Sequence, residues 1–294
     1  MLTHMTRRAF LTAAAVTALG SALHAGQEPS YQIGCYTRSW GQHDYRAALD
    51  GIAEAGYRYV GIMGLRLPGG PGINLNTPED QVRQVHDEIG RRKLRTISIW
   101  GDFSVAQSLE QGIEGLRRYV DYCVMFNCPY LLLGGTGDPK LNDRYYEAVK
   151  RCCDYAAEKS VRLTVKPHGG LNATGPQCRR LIESVGHRAF GLWYDPGNIF
   201  YYSDAKLDPV NDAKTVDGLV MGMSVKDYVH PKNVMVTPGT GMVNFPDVFA
   251  TLRKGGFTSG PLVVECVDNR DLPTTNAAAA KARKFLEDLT GQRD

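Results

Sequence analysis

The chain has 294 residues, 43% hydrophobic and 22% charged, with a formal net charge of +3. That is room for one large α/β domain or two small ones, in the composition range of an ordinary globular protein. So small a charge, carried on scattered basic residues, argues against a nucleic-acid surface. Seven cysteines, an odd number with no CxxC spacing, argue against a disulfide framework. Most of them read as small buried apolar residues.

The N-terminus carries an address. In TRRAFLTAAAVTALGSALHAG, paired Arg7 and Arg8 directly precede an Ala-rich apolar run that closes at Leu23, with Ala22 and Ala25 as candidate cleavage positions. The pattern predicts a twin-arginine signal peptide over 1–25 and a mature chain over 26–294. An N-terminal helix of the fold is the alternative. The expected location is periplasmic or otherwise exported. The run is short for a membrane span and no later segment approaches one, so no membrane attachment is expected after removal of the signal.

From residue 31 onward, β-branched or aromatic runs alternate with amphipathic charged stretches. Strands are predicted at Tyr31–Tyr36, Tyr57–Met63, Arg95–Trp100, Tyr130–Gly134, Arg162–Lys166, Phe190–Asp195, Leu219–Val225 and Leu262–Cys266. Helices are predicted at Asp44–Ala55, Pro78–Arg92, Leu109–Phe126, Asp143–Ser160, Gly175–Val185, Pro246–Lys254 and Ala277–Leu289. Eight strand–helix units in this length match a (β/α)8 TIM barrel, an α/β fold, with no linker to divide it. A doubly wound sheet would carry GxGxxG after its first strand, and TRSWGQHDYRAAL has none. The glycine-rich GGTGDPK lacks the GK[ST] ending of a phosphate loop. The sequon at Asn172 reads as idle.

Barrel chemistry comes from the C-terminal ends of strands. Those ends offer Tyr36 and Arg38, Trp100 and Asp102, Lys166 and His168, Asp195 and Asn198, Ser224, Lys226 and Asp227, and Glu265. Lys166 and His168 are two apart, so on a strand they share one face. His168 reads either as an acid/base or as a satisfied core histidine, and Asp227 either as a substrate contact or as a loop brace. The aromatics Trp193, Tyr194, Tyr201 and Tyr202 read as packing residues or as a platform for sugar faces.

VKPHGG, WYDPGNIF, MSVKD and PGTGMVNFPDVFATLRKGGFTSGPLVVE together resemble the xylose-isomerase-like barrels, a family of sugar and sugar-phosphate isomerases and epimerases. The resemblance covers roughly 31–290. In that family, strand five ends in Glu-x-His, strand six in Asp, strand seven in His-x-Lys-Asp and strand eight in Glu. The two Glu, the Asp and the strand-seven His bind one divalent metal, and the two Glu move protons at a sugar carbon. On this chain the resemblance gives Asp195 and Glu265 the roles of metal ligands, matches His168, and aligns Lys226–Asp227 with the Lys-Asp pair. It departs at two ligand positions: Lys166 stands in place of Glu, and Ser224 in place of His.

An ammonium about 4 Å from a divalent ion is repelled by about 8 kcal/mol at an effective dielectric near 20. Keeping the lysine neutral instead costs about 5 kcal/mol at pH 7. No cofactor is therefore expected, or at most a weakened manganese, magnesium or zinc site at Asp195 and Glu265. Lys166 is expected to fill the ion's place between those carboxylates.

The resemblance implies a sugar or keto-sugar isomerase or epimerase, with Glu265 as base, Lys166 as electrophile, His168 as a second acid/base, and Trp100, Asn198, Lys226 and Asp227 contacting a small carbohydrate. A lyase on the same residues and a non-catalytic carbohydrate-binding barrel are the alternatives. A Schiff-base lysine ranks last, because neighbouring carboxylates would raise its pKa. The oligomeric state is left open. Replacing Arg7 and Arg8 by lysine is expected to retain the protein in the cytoplasm, as measured by cell fractionation.

Overall fold

The computed structural model describes residues 31–68 and 70–293, so the signal peptide expected over 1–25 lies outside the described residues. Eight parallel strands close into a barrel. They are β1 (Tyr31–Tyr36), β2 (Tyr59–Ile62), β3 (Arg95–Gly101), β4 (Tyr130–Leu133), β5 (Arg162–Val165), β6 (Phe190–Tyr194), β7 (Val220–Val225) and β8 (Gly260–Val264). Each pairs with its sequence neighbours, and β8 closes on β1 through Tyr31–Gly260 to Cys35–Val264. The (β/α)8 barrel is the fold that the alternation predicts.

The helices are α1 (Tyr45–Glu54), α2 (Glu79–Arg91), α3 (Leu109–Met125), α4 (Asn142–Glu158), α5 (Gly175–Val185), α6 (Pro196–Ser203), α7 (Pro209–Ala213), α8 (Phe245–Lys254) and α9 (Leu272–Thr290). Most start on a side-chain cap. Ser108 accepts from Gln111 N, Thr174 forms a capping box with Gln177, and Asn244 and Asp271 accept from Asp247 N and Thr274 N. Such caps satisfy backbone donors that have no partner within the helix.

The prediction missed α6 and α7 and began α9 five residues late. All three open on Asp followed by Pro at the first or second position, a combination that also reads as a turn. All seven cysteines are free and buried.

Alternation along the strands divides two apolar layers. Leu131, Leu133, Leu192, Tyr194, Leu262 and Val264 belong to the large core shared with the helices. Leu132, Trp193 and Val263, one residue out of phase, pack with Tyr36, Met63 and Ile97 in a second cluster that fills the barrel. The Trp193 indole is fully buried, edge-on to Tyr130 at 5.6 Å. The space beside it comes from Gly222, where an added Cβ would fall on the indole ring. Trp193→Ala is expected to cost about 3–5 kcal/mol by urea unfolding, as a cavity in a core that cannot collapse onto it.

Candidate active site

The C-terminal ends of the strands converge on five charged side chains. Lys166 follows β5 directly, Asp195 follows β6, Lys226 follows β7 and Glu265 follows β8. Arg38 lies in the 3-10 turn Thr37–Trp40 after β1. Asp195 is not a strand residue, as the sequence suggested, but the cap of α6. Its Oδ1 accepts from Asn198 N at 3.0 Å. His168 also lies beyond its strand, in the loop, where its N–H is tied to Asn172 O.

The Lys166 ammonium sits between the two carboxylates, 3.0 Å from Asp195 Oδ2 and 2.7 Å from Glu265 Oε2. Lys226 Nζ bridges the same pair, at 2.9 Å from Asp195 Oδ2 and 2.7 Å from Glu265 Oε1. Arg38 Nη1 donates to Glu265 Oε1 at 2.8 Å, and Ser224 Oγ donates to Glu265 Oε2 at 2.6 Å. Ser224 in turn accepts from Trp193 Nε1 at 3.1 Å, which ties the site to the barrel core. Lys166, Lys226, Asp195 and Glu265 are at most 2% exposed.

Glu265 therefore accepts three hydrogen bonds, from Arg38, Lys166 and Ser224, and is ion-paired to Lys226 as well. Burial alone would raise its pKa. Lys166, Lys226 and Arg38 outweigh burial and hold it well below the ordinary glutamate value. A carboxylate held this acidic is a weak base, which weighs against the role of base expected for Glu265. For Lys166, burial is the largest effect and lowers its pKa. Lys226 adds to the lowering, against the opposing pull of Glu265 and Asp195. The carboxylates do raise it, as expected, but burial outweighs them and the net shift is downward. Lys226 loses by burial too, but Asp195 and Glu265 more than compensate and its pKa is raised.

Above the cluster lies a cleft of about 400 Å³ whose lining includes Arg38, Trp100, Asp102, Lys166 and His168. Trp100 and His168 have ring centroids 5.2 Å apart, and Tyr202 stands edge-on to His168 at 5.7 Å. No hydrogen bond to the His168 ring nitrogens is present among the described residues. Burial, then Lys166 and Lys226, lower the His168 pKa to about 4, so the imidazole is neutral at pH 7.

Of the four expected substrate contacts, only Trp100 lines this cleft. Asn198 is 4% exposed and occupied, donating to Pro167 O and accepting from Lys226. Lys226 is spent on the ion cluster. Asp227 is fully buried and accepts the backbone N–H groups of Tyr228, Gly239, Gly241 and Val243, so it braces the loop after β7. A strand-end position decides the end of the barrel but not whether a side chain faces the mouth or the layer behind it.

Sequence reasoning also passed over Arg38 as a site residue, although it stands at the first strand end. It passed over Asn172 as well. The idle sequon is a buried clamp, with Nδ2 donating to Lys166 O and Gly134 O at 2.8 Å each.

The donor set does not suit a divalent ion. Among the described residues no three His, Cys, Asp or Glu side chains converge. The space between Asp195 and Glu265 is taken by Lys166 Nζ, and Ser224 offers a hydroxyl already committed to Glu265. Hard and borderline cations want more ligands than two carboxylates already paired with positive side chains.

A closed parallel barrel with buried charge at its C-terminal mouth defines a TIM-barrel protein. The chain belongs to the xylose isomerase-like TIM barrel family, whose model matches residues 49–289. Inosose dehydratase of Geobacillus thermodenitrificans (strain NG80-2) is 24% identical over 164 residues, 51% of this chain and 55% of that protein. The chain spans a little over half the length of the curated relatives it matches. A xylose isomerase-like TIM barrel protein from Mycobacterium smegmatis in complex with magnesium superposes with a TM-score of 0.72 at 16% identity, covering 88% of this chain and 96% of that one. D-allulose 3-epimerase from Methylomonas sp. in complex with D-allulose superposes with a TM-score of 0.68 at 19% identity, covering 88% and 97%.

Lys166→Met leaves two buried carboxylates short of a partner and is expected to cost about 3–5 kcal/mol in chemical denaturation. It should also move acid unfolding to higher pH. Because the folded pKa of Glu265 is depressed, its contribution is complete above the ordinary glutamate value and lost as pH falls through the depressed one. Removing Lys166 raises that lower limit, so the loss begins earlier on acidification.

Proposed function

We propose that this barrel enolises a carbonyl sugar without a metal, in an isomerase, epimerase or dehydratase reaction. The observation that carries the reading is the Lys166 ammonium held between Asp195 and Glu265 at the floor of the cleft. Two of its three N–H groups are spent on the carboxylates, and the third remains for a substrate oxygen. A buried cation fixed beside a carbonyl stabilises the negative charge that develops when a neighbouring C–H is deprotonated. In this reading Glu265 holds Lys166, and His168, with unpartnered ring nitrogens in the same cleft, takes the proton. Its pKa of about 4 makes it a weak base, and the step depends on the Lys166 ammonium acidifying the C–H next to the carbonyl. Returning it to the other carbon or the other face gives isomerisation or epimerisation. Expelling a β-hydroxyl gives dehydration, and expelling a β-glycosidic oxygen gives the lyase alternative. Relatives named as an inosose dehydratase and a D-allulose 3-epimerase support the class of reaction. The Arg7–Arg8 pair and the Ala-rich run after it support a site of action outside the cytoplasm.

One observation favours a second reading. Glu265, a base in the family pattern, is paired with three positive side chains, which suits a barrel that binds carbohydrate without turnover.

Incubation with an inosose or ketohexose in D2O, followed by proton NMR, separates the two. Wild type is expected to exchange the C–H next to the carbonyl, at a rate unaffected by chelators. Lys166→Met and His168→Gln are each expected to slow exchange by about 10²–10³-fold. Sugar binding without exchange would favour the non-catalytic barrel.

A further inference from the structure

The ion cluster at the mouth is not electrically balanced. Lys166, Lys226 and Arg38 face only Asp195 and Glu265, so one positive charge has no partner within the cluster. The hydrogen-bond inventory locates it. Lys226 donates hydrogen bonds to Asp195 and Asn198 and is ion-paired to Glu265. Lys166 keeps one N–H group, and Arg38 spends one of five, on Glu265. Arg38 and Lys166 line the cleft, whereas Lys226 does not. Lys166 is 1% exposed, so water does little to screen it, and it lies 5.6 Å from the Trp100 ring centroid. Arg38 is the open member of the cluster, with 37% of its side chain exposed. Asp102 also lines the cleft but is exposed, where solvent and salt screen its charge.

Building on the sugar-enolising reading, we propose that the ligand of this cleft is a sugar acid, whose carboxylate docks on Arg38 and the spare N–H of Lys166. A single carboxylate cancels the single unpaired charge. A phosphate, at about −1.5 to −2, would overshoot it in a poorly screened place. The guanidinium fork matches a carboxylate in a bidentate plane. A competing use of the same charge is to await the enediolate of a neutral substrate. Binding before reaction distinguishes the two, because only a sugar acid is anionic in the ground state.

The test is calorimetric or tryptophan-fluorescence titration of the purified protein with D-glucuronate and D-galacturonate against D-glucose and D-galactose. The acids are expected to bind about tenfold more tightly than their neutral counterparts. The preference should shrink as salt is raised, and Arg38→Gln should bring the two series close to parity. Equal binding of acid and neutral sugar, a preference that survives in Arg38→Gln, or no binding of any acid at millimolar concentration would each overturn the proposal. Loss of proton exchange with the preference intact would count against the enolising chemistry alone. Loss of the preference with exchange intact would count against the acid alone.

Discussion

An ammonium group between two carboxylates, closed off from water, is the constraint on which the mouth of this barrel depends. Moving any one of these charges out of water alone costs several kcal/mol, and only their mutual contacts repay it. That is why the surrounding polar groups are also committed. Ser224 donates to Glu265, Asn198 accepts from Lys226, and Asn172 pins the carbonyl of Lys166 itself. Removing either carboxylate leaves buried ammonium groups uncompensated, so both lysines depend on Asp195 and Glu265 together.

The arrangement has a chemical consequence. A carboxylate that accepts three hydrogen bonds and is ion-paired to a further ammonium has little capacity left for a substrate proton, so Glu265 becomes the scaffold of the cluster. What the scaffold presents to the cleft is positive charge. On the proposed reading, that charge fills the position where the family pattern places a metal ion. The His168 imidazole, kept neutral by the same field and by burial, is the uncharged proton-accepting side chain facing the cleft.

The barrel supplies the rigidity this needs. The charged groups sit on or just past the ends of five different strands, and neighbouring strands are locked in register by the parallel ladder. Below them, Trp193 fills the interior and reaches the site through its bond to Ser224. Core packing and site electrostatics thus meet in one indole, which couples the shape of the interior to the position of Glu265.

Periodicity alone determined most of the architecture. Eight β-branched runs alternating with amphipathic stretches admit few folds, and the residues at their C-terminal ends must share one face of the barrel. Asp195, Glu265, Lys166 and His168 were located in that way, and the exchange of Glu for Lys in VKPHGG already implied an internal ion pair. Which strand-end side chains face the cleft was decided by the tertiary structure. Lys226, Asn198 and Asp227 occupy positions as promising as that of Trp100, yet the turn of the chain past each strand sends them into the layer behind the mouth. Arg38 enters the site because the closing β1–β8 pair brings the first and last strands side by side, 227 residues apart in sequence. The pKa of Lys166 depends on burial and on a second lysine beside it, and neither can be read from a linear chain. Sequence spacing sets which end of a strand a residue occupies. Solvation and charge are properties of everything packed around it, and those neighbours exist only once the barrel has closed.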